Sequence, residues 1–262
     1  MQSRSTIDAD MTDIPIGLGI RLRSLLFFLV YNLLGILHSS LSVLLAPLMA
    51  FEQRYRFVNL WTHVCMWLLR HLNGVRIEVI GREHVPRDEA VVVMANHQSE
   101  WETFYLQLIV APQATVLKQE LLKVPFFGWA LALLKPIAID RGKPVNAMKT
   151  LLRLGKARLD EGISVVIYPE GTRQPSGCLG RFNPGGARLA CHAGARVVPM
   201  IHNAGDCWPA RSMLRLPGTI RLVIGEPLCC EGGAEDLLSR VEAWMHQNSG
   251  LLRADGFSDT PE

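Results

Sequence analysis

A histidine and a carboxylate five residues apart are the side chains of this sequence best suited to acid–base chemistry. His97 follows the apolar run 90–95, which predicts a buried strand, and Glu102 comes where a helix is predicted to begin. An imidazole takes up and releases a proton near neutral pH. A carboxylate on its other ring nitrogen fixes the tautomer and stabilises the imidazolium. The spacing therefore predicts a general base with its orienting partner at a strand end, a common position for α/β active sites.

The carboxylate of this pair has other interpretations. Ser99 and Glu102 match a capping box, in which the glutamate reaches back to the serine backbone N–H. Glu100 is a rival partner for the histidine. The sequence leaves three arrangements open: Glu102 pairs with His97, Glu100 does so, or Glu102 only caps the helix.

Three further blocks follow other predicted strands. They are residues 139–141 (Ile-Asp-Arg), 168–173 (Tyr-Pro-Glu-Gly-Thr-Arg) and 197–200 (Val-Val-Pro-Met). Singly, they have ordinary structural explanations: a surface ion pair, a tight turn in which glycine supplies positive φ, and a strand end. In this order, and after block 96–102, they resemble the glycerolipid acyltransferases, most closely the lysophosphatidate acyltransferases. The resemblance extends from Ile77 to Pro227.

This resemblance implies a fold and a reaction. The fold is α/β, a largely parallel sheet wrapped by helices, with an N-terminal membrane-associated helical segment. The reaction transfers a fatty acyl group from a thioester of acyl carrier protein or coenzyme A to the sn-2 hydroxyl of 1-acyl-glycerol-3-phosphate, which gives phosphatidate. Neither a metal nor another cofactor is expected, and the partners are these lipids and the bilayer rather than nucleic acid.

The resemblance also assigns roles to individual residues. His97 and Glu102 are the catalytic pair, because a hydroxyl is a poor nucleophile until a base removes its proton. Arg141 and Arg173 match the positions that bind the acceptor phosphate, for which the bidentate geometry of arginine is suited. Lys118 is expected to be a cation at the edge of the site. Glu170 is expected to orient an arginine or to contact the acceptor, and Gly171 and Thr172 form the turn that follows it.

The sequence departs from the family pattern at two places. The acidic position of the first block is usually Asp, and Glu102 adds one methylene, so the contact with His97 must be rebuilt or the backbone must shift. Relatives often carry a lysine near Asn183, and here Arg181 or Arg188 is the nearby cation. The acceptor head group is therefore open.

Several alternative functions follow. One is transfer to another lysolipid acceptor, such as a lyso-ornithine lipid or a lysophospholipid, and another is non-catalytic binding of membrane lipid. A serine lipase is excluded because the chain has no Gly-x-Ser-x-Gly nucleophile elbow.

The elements that must position these residues alternate between strand and helix. Strands are predicted at 75–80, 90–95, 114–118, 136–139, 164–168, 196–201 and 219–224, and helices at 145–161 and 234–247. This alternation favours a parallel sheet covered by helices. The predicted organisation is an N-terminal tail with membrane-anchoring helices (1–73), an α/β acyltransferase domain (74–250) and a flexible C-terminal tail (251–262).

The N-terminal region predicts contact with a membrane. Residues 25–50 carry no formal charge, and as a helix they are about 39 Å long, enough to cross a hydrocarbon core of about 30 Å. A second apolar stripe follows at 57–72. A single span, a hairpin that dips into one leaflet and a buried core pair all stay open. The apolar, aromatic stretch 124–134 also favours lipid contact. The expected location is the inner membrane, with the active site facing the cytoplasm.

Charge and cysteine content add two expectations. The 262-residue chain has a formal net charge of +3, which is too small to argue for nucleic acid and suits an anionic lipid or phosphorylated substrate. The six cysteines include no Cys-x-x-Cys pair. They are expected to be reduced thiols in a cytosolic environment.

Overall fold

The computed structural model describes residues 16–252 and contains a seven-stranded sheet over that range. The strands are β1 (Val75–Ile80), β2 (Val92–Ala95), β3 (Gln113–Lys118), β4 (Ile137–Ile139), β5 (Ser164–Ile167), β6 (Val197–His202) and β7 (Gly218–Ile224). The helices are α1 (Leu18–Leu45), α2 (Phe51–Asn73), α3 (Trp101–Ile109), α4 (Phe127–Ala132), α5 (Pro144–Asp160), α6 (Gly185–Ala193), α7 (Ala204–Cys207) and α8 (Gly233–Asn248). Residues 1–15 and 253–262, which include most of the predicted C-terminal tail, lie outside the described residues.

The sheet order places the strand before His97 at its centre. The order is β1-β7-β6-β2-β5-β3-β4, and β2 pairs in parallel with both β5 and β6. All other pairs are parallel except β6 with β7, which is antiparallel. The prediction of a largely parallel sheet wrapped by helices is confirmed. Because β2, β5 and β6 run in the same direction, their carboxyl ends bring three sequence blocks to one edge.

The central strand is buried on both faces, as its uniformly apolar sequence predicts. Val93 belongs to the core beneath α2 and α3, whereas Val92 and Met94 belong to the core beneath α5, α6 and α8. Successive side chains of a strand point to opposite faces, which explains this division. Gly186 in α6 permits close packing, since a Cβ there would lie 2.8 Å from Met94 Sδ. The close packing accounts for a small residue at this helix start.

The N-terminal helices form an antiparallel pair in which only α2 is packed like a core helix. Cys65 and Leu69 of α2 are fully buried against the sheet. By contrast, Leu18–Leu48 is long and apolar enough to cross a membrane, and its most apolar stretch is only 6% buried. The alternative of a buried core pair therefore does not describe α1. Helix α1 begins at Leu18, which is seven residues before the uncharged stretch 25–50 predicted to be helical.

One expectation about the cysteines is wrong. Cys191 in α6 and Cys230 before α8 form a disulfide, with their Cα atoms 5.3 Å apart. The other four cysteines, Cys65, Cys178, Cys207 and Cys229, are free thiols. The adjacent residues Cys229 and Cys230 do not pair with each other, since Cys229 is free. Cys191 and Cys230 are 39 residues apart in the sequence. They come together because α6 and the loop before α8 cover the same face of the sheet.

Candidate active site

Three strand ends supply the core of the site. His97 follows β2, Tyr168 follows β5 directly, and His202 ends β6. Since β2 lies between the other two strands, their terminal side chains converge around the imidazole of His97. This is the edge at which parallel α/β sheets commonly bind ligands.

His97 is bonded to Glu102 at the start of α3. Nδ1 of the imidazole lies 2.7 Å from Glu102 Oε1, and the glutamate side chain is fully buried. Because Nδ1 faces the carboxylate, Nε2 is the ring nitrogen left to meet a substrate. The His97 side chain is 15% exposed, which leaves it accessible at the surface of the site.

Glu102 also caps the helix, with the same oxygen. Oε1 accepts hydrogen bonds from the backbone N–H groups of Gln98 (2.9 Å) and Ser99 (2.8 Å). Ser99 Oγ in turn accepts from the N–H of Trp101 at 3.0 Å. The two roles weighed for Glu102 therefore coexist. Glu100, the rival carboxylate, contacts Arg173 instead, at 3.4 Å.

The surroundings of Glu102 keep it ionised. Burial by itself raises the pKa of this carboxyl, but His202, the hydrogen bond and charge of His97, and the Ser99 N–H together hold its pKa below the ordinary value. An ionised carboxylate is the form that can stabilise an imidazolium at His97. The 2.7 Å contact with His97 also shows that the turn between β2 and α3 accommodates glutamate, which is one methylene longer than the aspartate usual in the family.

Glu170 supports the backbone of the base. Its Oε2 accepts the N–H of His97 at 2.6 Å, and its Oε1 accepts the N–H of Gly180 at 2.9 Å. Burial raises the pKa of this carboxyl, and the two N–H donors partly oppose that rise. Both oxygens contact the backbone, so the structure shows a role for Glu170 in holding the 97 and 180 loops together.

The turn after Glu170 brings two arginines towards the pair. Gly171 has φ +69°, a conformation that favours glycine, and its carbonyl accepts a hydrogen bond from Arg141 Nη1. Arg173 Nη1 is 3.4 Å from Glu100 Oε1. Thr172 is exposed between them. Lys118 is farther out at the end of β3, where its ammonium is 3.8 Å from Glu120. The roles of these residues in substrate binding stay predictions.

Two neighbours of the base were not predicted. The ring of Tyr168 stacks on His97 with centroids 4.4 Å apart and planes inclined by 19°. His202 places Nε2 3.9 Å from Glu102 Oε2. Both residues stand at the ends of strands predicted from the sequence, so the strand-end argument that singled out His97 would have found them had it been applied to every parallel strand.

Metal ligands are not clustered in the described part of the chain. Over residues 16–252, no group of three or more His, Cys, Asp or Glu side chains is arranged to hold a metal ion. The expectation of a reaction without metal or other cofactor stays a prediction.

Comparison with known proteins places the chain in a family. The Acyltransferase family model matches residues 76–203. A 1-acyl-sn-glycerol-3-phosphate acyltransferase of Pseudomonas aeruginosa is 46% identical over 231 residues, which cover 86% of this chain and 90% of the relative. The chain belongs to the acyltransferase family. The matched region contains all the catalytic and substrate-binding residues predicted above.

More distant acyltransferases agree with this assignment. A chloroplastic 1-acyl-sn-glycerol-3-phosphate acyltransferase of Brassica napus is 27% identical over 250 residues, covering 91% of this chain and 70% of the relative. The crystal structure of the 1-acyl-sn-glycerophosphate acyltransferase of Thermotoga maritima superposes with a TM-score of 0.76 at 24% identity, over 91% of this chain and 98% of that one. The predicted family and fold are confirmed.

Proposed function

We propose that this acyltransferase moves a fatty acyl group from an acyl thioester to the sn-2 hydroxyl of 1-acyl-sn-glycerol-3-phosphate, giving phosphatidate and a free thiol. The observation that carries the proposal is the pair His97–Glu102, joined at 2.7 Å through Nδ1, which leaves Nε2 for the acceptor hydroxyl. The similarity to the Pseudomonas aeruginosa relative supports the choice of acceptor.

The pair performs the chemistry in two proton transfers. Nε2 of His97 takes the hydroxyl proton as the oxygen attacks the thioester carbonyl, and Glu102 stabilises the imidazolium that forms. The tetrahedral intermediate then collapses, the C–S bond breaks, and the imidazolium returns its proton to the departing sulfur. General base catalysis of this type contributes about 10²- to 10⁴-fold in rate.

Arg141 and Arg173 are proposed to bind the acceptor phosphate. Arg141 is exposed and its guanidinium lies beside the turn at Gly171. Arg173 makes a 3.4 Å contact with Glu100, and an incoming phosphate can bind its other N–H groups. Lys118 adds a cation at the outer edge. Arg141 contacts Gly171, and the adjacent Glu170 accepts the His97 N–H, so the proposed phosphate site adjoins the loop that holds the base.

The acyl donor is proposed to be a thioester of acyl carrier protein or coenzyme A. Both carriers are anionic. Helix α5 begins three residues after Arg141 and exposes Lys149 and Arg153, two cations that an anionic carrier can contact.

The enzyme is proposed to lie on the cytoplasmic face of the inner membrane, with α1 in one leaflet. Ser24 of α1 accepts the backbone N–H of Arg215 at 2.9 Å, and Phe27 is fully buried against Trp208. The first half of α1 is therefore tied to the globular domain while its leucine-rich outer face is exposed. This arrangement favours a helix inserted beside the domain over one that crosses the bilayer away from it.

The exposed aromatics near α4 extend the same surface. Phe126 and Trp129 are 38% and 48% exposed, and their rings contact one another. Helix α4 also packs against α1. The predicted lipid contact of the 124–134 stretch fits this position.

The function is tested by acyl transfer to 1-acyl-glycerol-3-phosphate in detergent micelles, with lyso-ornithine lipid and lysophosphatidylcholine as competing acceptors. His97→Ala is expected to abolish turnover, and His192→Ala, an exposed histidine of α6, is expected to leave it unchanged. Arg141→Ala and Arg173→Ala are expected to raise KM for the phosphate acceptor, whereas Arg76→Ala, at an exposed arginine of the edge strand β1, is the matched surface control. Equal turnover with a phosphate-free acceptor would contradict the assigned substrate.

A further inference from the structure

The second oxygen of Glu102 is the unexplained part of the catalytic pair. Oε1 takes donors from His97, Gln98 and Ser99. Oε2 is buried and has no hydrogen-bond partner among residues 16–252. It faces Nε2 of His202 at 3.9 Å. A buried carboxylate oxygen is costly unless a nearby positive dipole compensates it.

The hydrogen bonds of His202 fix where its ring proton lies. Nδ1 accepts the backbone N–H of Ala204 at 3.2 Å, so the proton of the neutral ring is on Nε2. Nε2 then donates to the carbonyl of Asn96 at 3.0 Å, and the same nitrogen lies 3.9 Å from Glu102 Oε2. Because His202 is fully buried, its pKa lies below the ordinary value, and the ring is neutral at neutral pH.

Asn96 and His202 also join the two strand ends next to the base. Asn96 Oδ1 accepts the N–H of His202 at 2.9 Å, and Asn96 Nδ2 donates to the His202 carbonyl at 2.9 Å. With the ring bond to the Asn96 carbonyl, three hydrogen bonds link these residues. Asn96 immediately precedes His97, so the position of the base along β2 depends on this link.

We infer that His202 is a positioning residue for acyl transfer: its ring locks the end of β2 beneath His97 and places the dipole of the Nε2–H group within 3.9 Å of Glu102 Oε2. The inference rests on the proposed function of the His97–Glu102 pair. The dipole stabilises the carboxylate while His97 is neutral. Because His202 does not itself carry a full charge, Glu102 remains available to stabilise the imidazolium that forms at His97.

The other titratable groups around the pair come from three elements. Tyr168 stacks on the imidazole from the end of β5, and Glu170 accepts the His97 N–H from the following loop. Glu100 precedes α3, and Arg173 is beside it. His202 is the group of β6 that faces Glu102. A substitution at 202 therefore removes none of these other groups.

Two variants of His202 separate the proposed role from simple packing. In His202→Gln the terminal amide can reproduce the Nε2 donor, whereas in His202→Asn the shorter side chain can reproduce only the acceptor for Ala204. His202→Asn is expected to lower kcat by up to about a hundredfold, as for a misplacement near 1 Å, with little change in KM. Without the Nε2–H dipole of His202, the Glu102 carboxylate is less stable, so the His97–Glu102 pair binds a proton more readily. Because a protonated pair cannot act as a base, the acidic limb of the pH–rate profile is expected to move to higher pH. His202→Gln is expected to restore most of kcat and the wild-type limb.

The outcomes are distinguishable from failure of the proposed function. Wild type and His97→Ala are measured in the same assay: an inactive wild type contradicts the function itself. If wild type is active and His97→Ala is not, yet both His202 variants keep the wild-type kcat and acidic limb, the inference is overturned. Equal losses in both variants, matched by equal falls in Tm, also overturn it, because packing alone would explain them.

A measurement on wild type decides the matter if His202→Asn does not fold. In ¹⁵N-histidine-labelled protein, His202 is expected to be the neutral Nε2–H tautomer and not to titrate between about pH 5 and 8, the range in which an ordinary histidine changes charge. A ring that titrates in this range, or that carries its proton on Nδ1, would overturn the inference.

Discussion

The ring of Tyr168 stacks on the imidazole of His97, with the two centroids 4.4 Å apart. Tyr168 comes directly after β5 and opens the Tyr-Pro-Glu-Gly-Thr-Arg block, so the block thought to serve the acceptor also contacts the base. Glu170 of the same block accepts the His97 N–H. One loop therefore fixes both the ring plane and the backbone of the catalytic histidine.

Replacing Tyr168 tests the stacking contact. The phenol oxygen is buried and has no hydrogen-bond partner among the described residues, so Tyr168→Phe removes a desolvated group and keeps the ring. We expect wild-type kcat and an unchanged or higher Tm for Tyr168→Phe, because leaving such a group unpaired costs about 1–3 kcal/mol. Tyr168→Ala is expected to lower kcat and to destabilise the fold by about 3 kcal/mol. A loss of activity in Tyr168→Phe equal to that in Tyr168→Ala would assign the role to the hydroxyl instead.

Much of this site follows from sequence because its residues are local to strand ends. Strand β2 was predicted at 90–95 and is observed at Val92–Ala95, and β5 was predicted one residue longer than it is. His97 and Glu102 are five residues apart, so a single turn determines their contact. Local spacing was therefore sufficient to predict the pair.

The contacts that escaped prediction join residues far apart in sequence. His202 lies 106 residues from Asn96, and their contact depends on β6 being the neighbour of β2. Sheet order is set by which helices cover which face, and a single sequence does not encode it in any short pattern. The same reason explains the missed Cys191–Cys230 bridge and the attachment of Ser24 to Arg215.

Glu170→Gln tests the support of the base from below. The N–H groups of His97 and Gly180 are bonded to different oxygens of Glu170, and glutamine replaces one of these oxygens by an NH₂ donor, so one N–H loses its acceptor. We expect a loss of about 1–3 kcal/mol in stability for the unpaired buried N–H. We also expect a fall in kcat larger than any change in KM. Glu161→Gln is the control, because Glu161 forms an exposed ion pair with Lys135 away from His97. A selective rise in KM for the phosphate acceptor would instead support direct substrate contact by Glu170.

The two buried carboxyls are expected to affect acid stability in opposite directions. The pKa of Glu102 is lower in the folded state than in the unfolded state. Its contribution to the free energy of unfolding is therefore present above the unfolded carboxyl pKa of about 4.3, and it is lost as the pH falls from that value towards the folded pKa. The pKa of Glu170 is raised by burial, so its contribution is present at low pH and is lost as pH rises through the folded pKa.

Thermal unfolding measured across acidic to neutral pH checks these signs. The difference in Tm between Glu102→Gln and wild type is expected to become more negative as pH rises. The difference for Glu170→Gln is expected to become less negative over the same range. If the Tm difference from wild type did not change with pH in either variant, neither carboxyl would titrate differently in the folded and unfolded states.

Glu102→Gln separates charge from capping at the centre of the site. Glutamine keeps a carbonyl oxygen that can accept the N–H groups of Gln98 and Ser99, so the start of α3 is expected to remain formed. It lacks the negative charge that stabilises the imidazolium, and we expect kcat to fall by about 10²- to 10⁴-fold, the usual contribution of base catalysis. Glu102→Asp keeps the charge but shortens the reach, and is expected to lie between wild type and Glu102→Gln.

The controls for this series are chosen to isolate the pair. Glu235→Gln removes an exposed carboxylate from the first turn of α8 and is expected to leave kcat unchanged. Circular dichroism and Tm establish that each Glu102 variant is folded before its rate is interpreted. Glu102 Oε1 accepts hydrogen bonds from both His97 and the backbone at the start of α3. Full activity in a folded Glu102→Gln would therefore show that Glu102 acts only as a helix cap and that His97 works without an ionised partner.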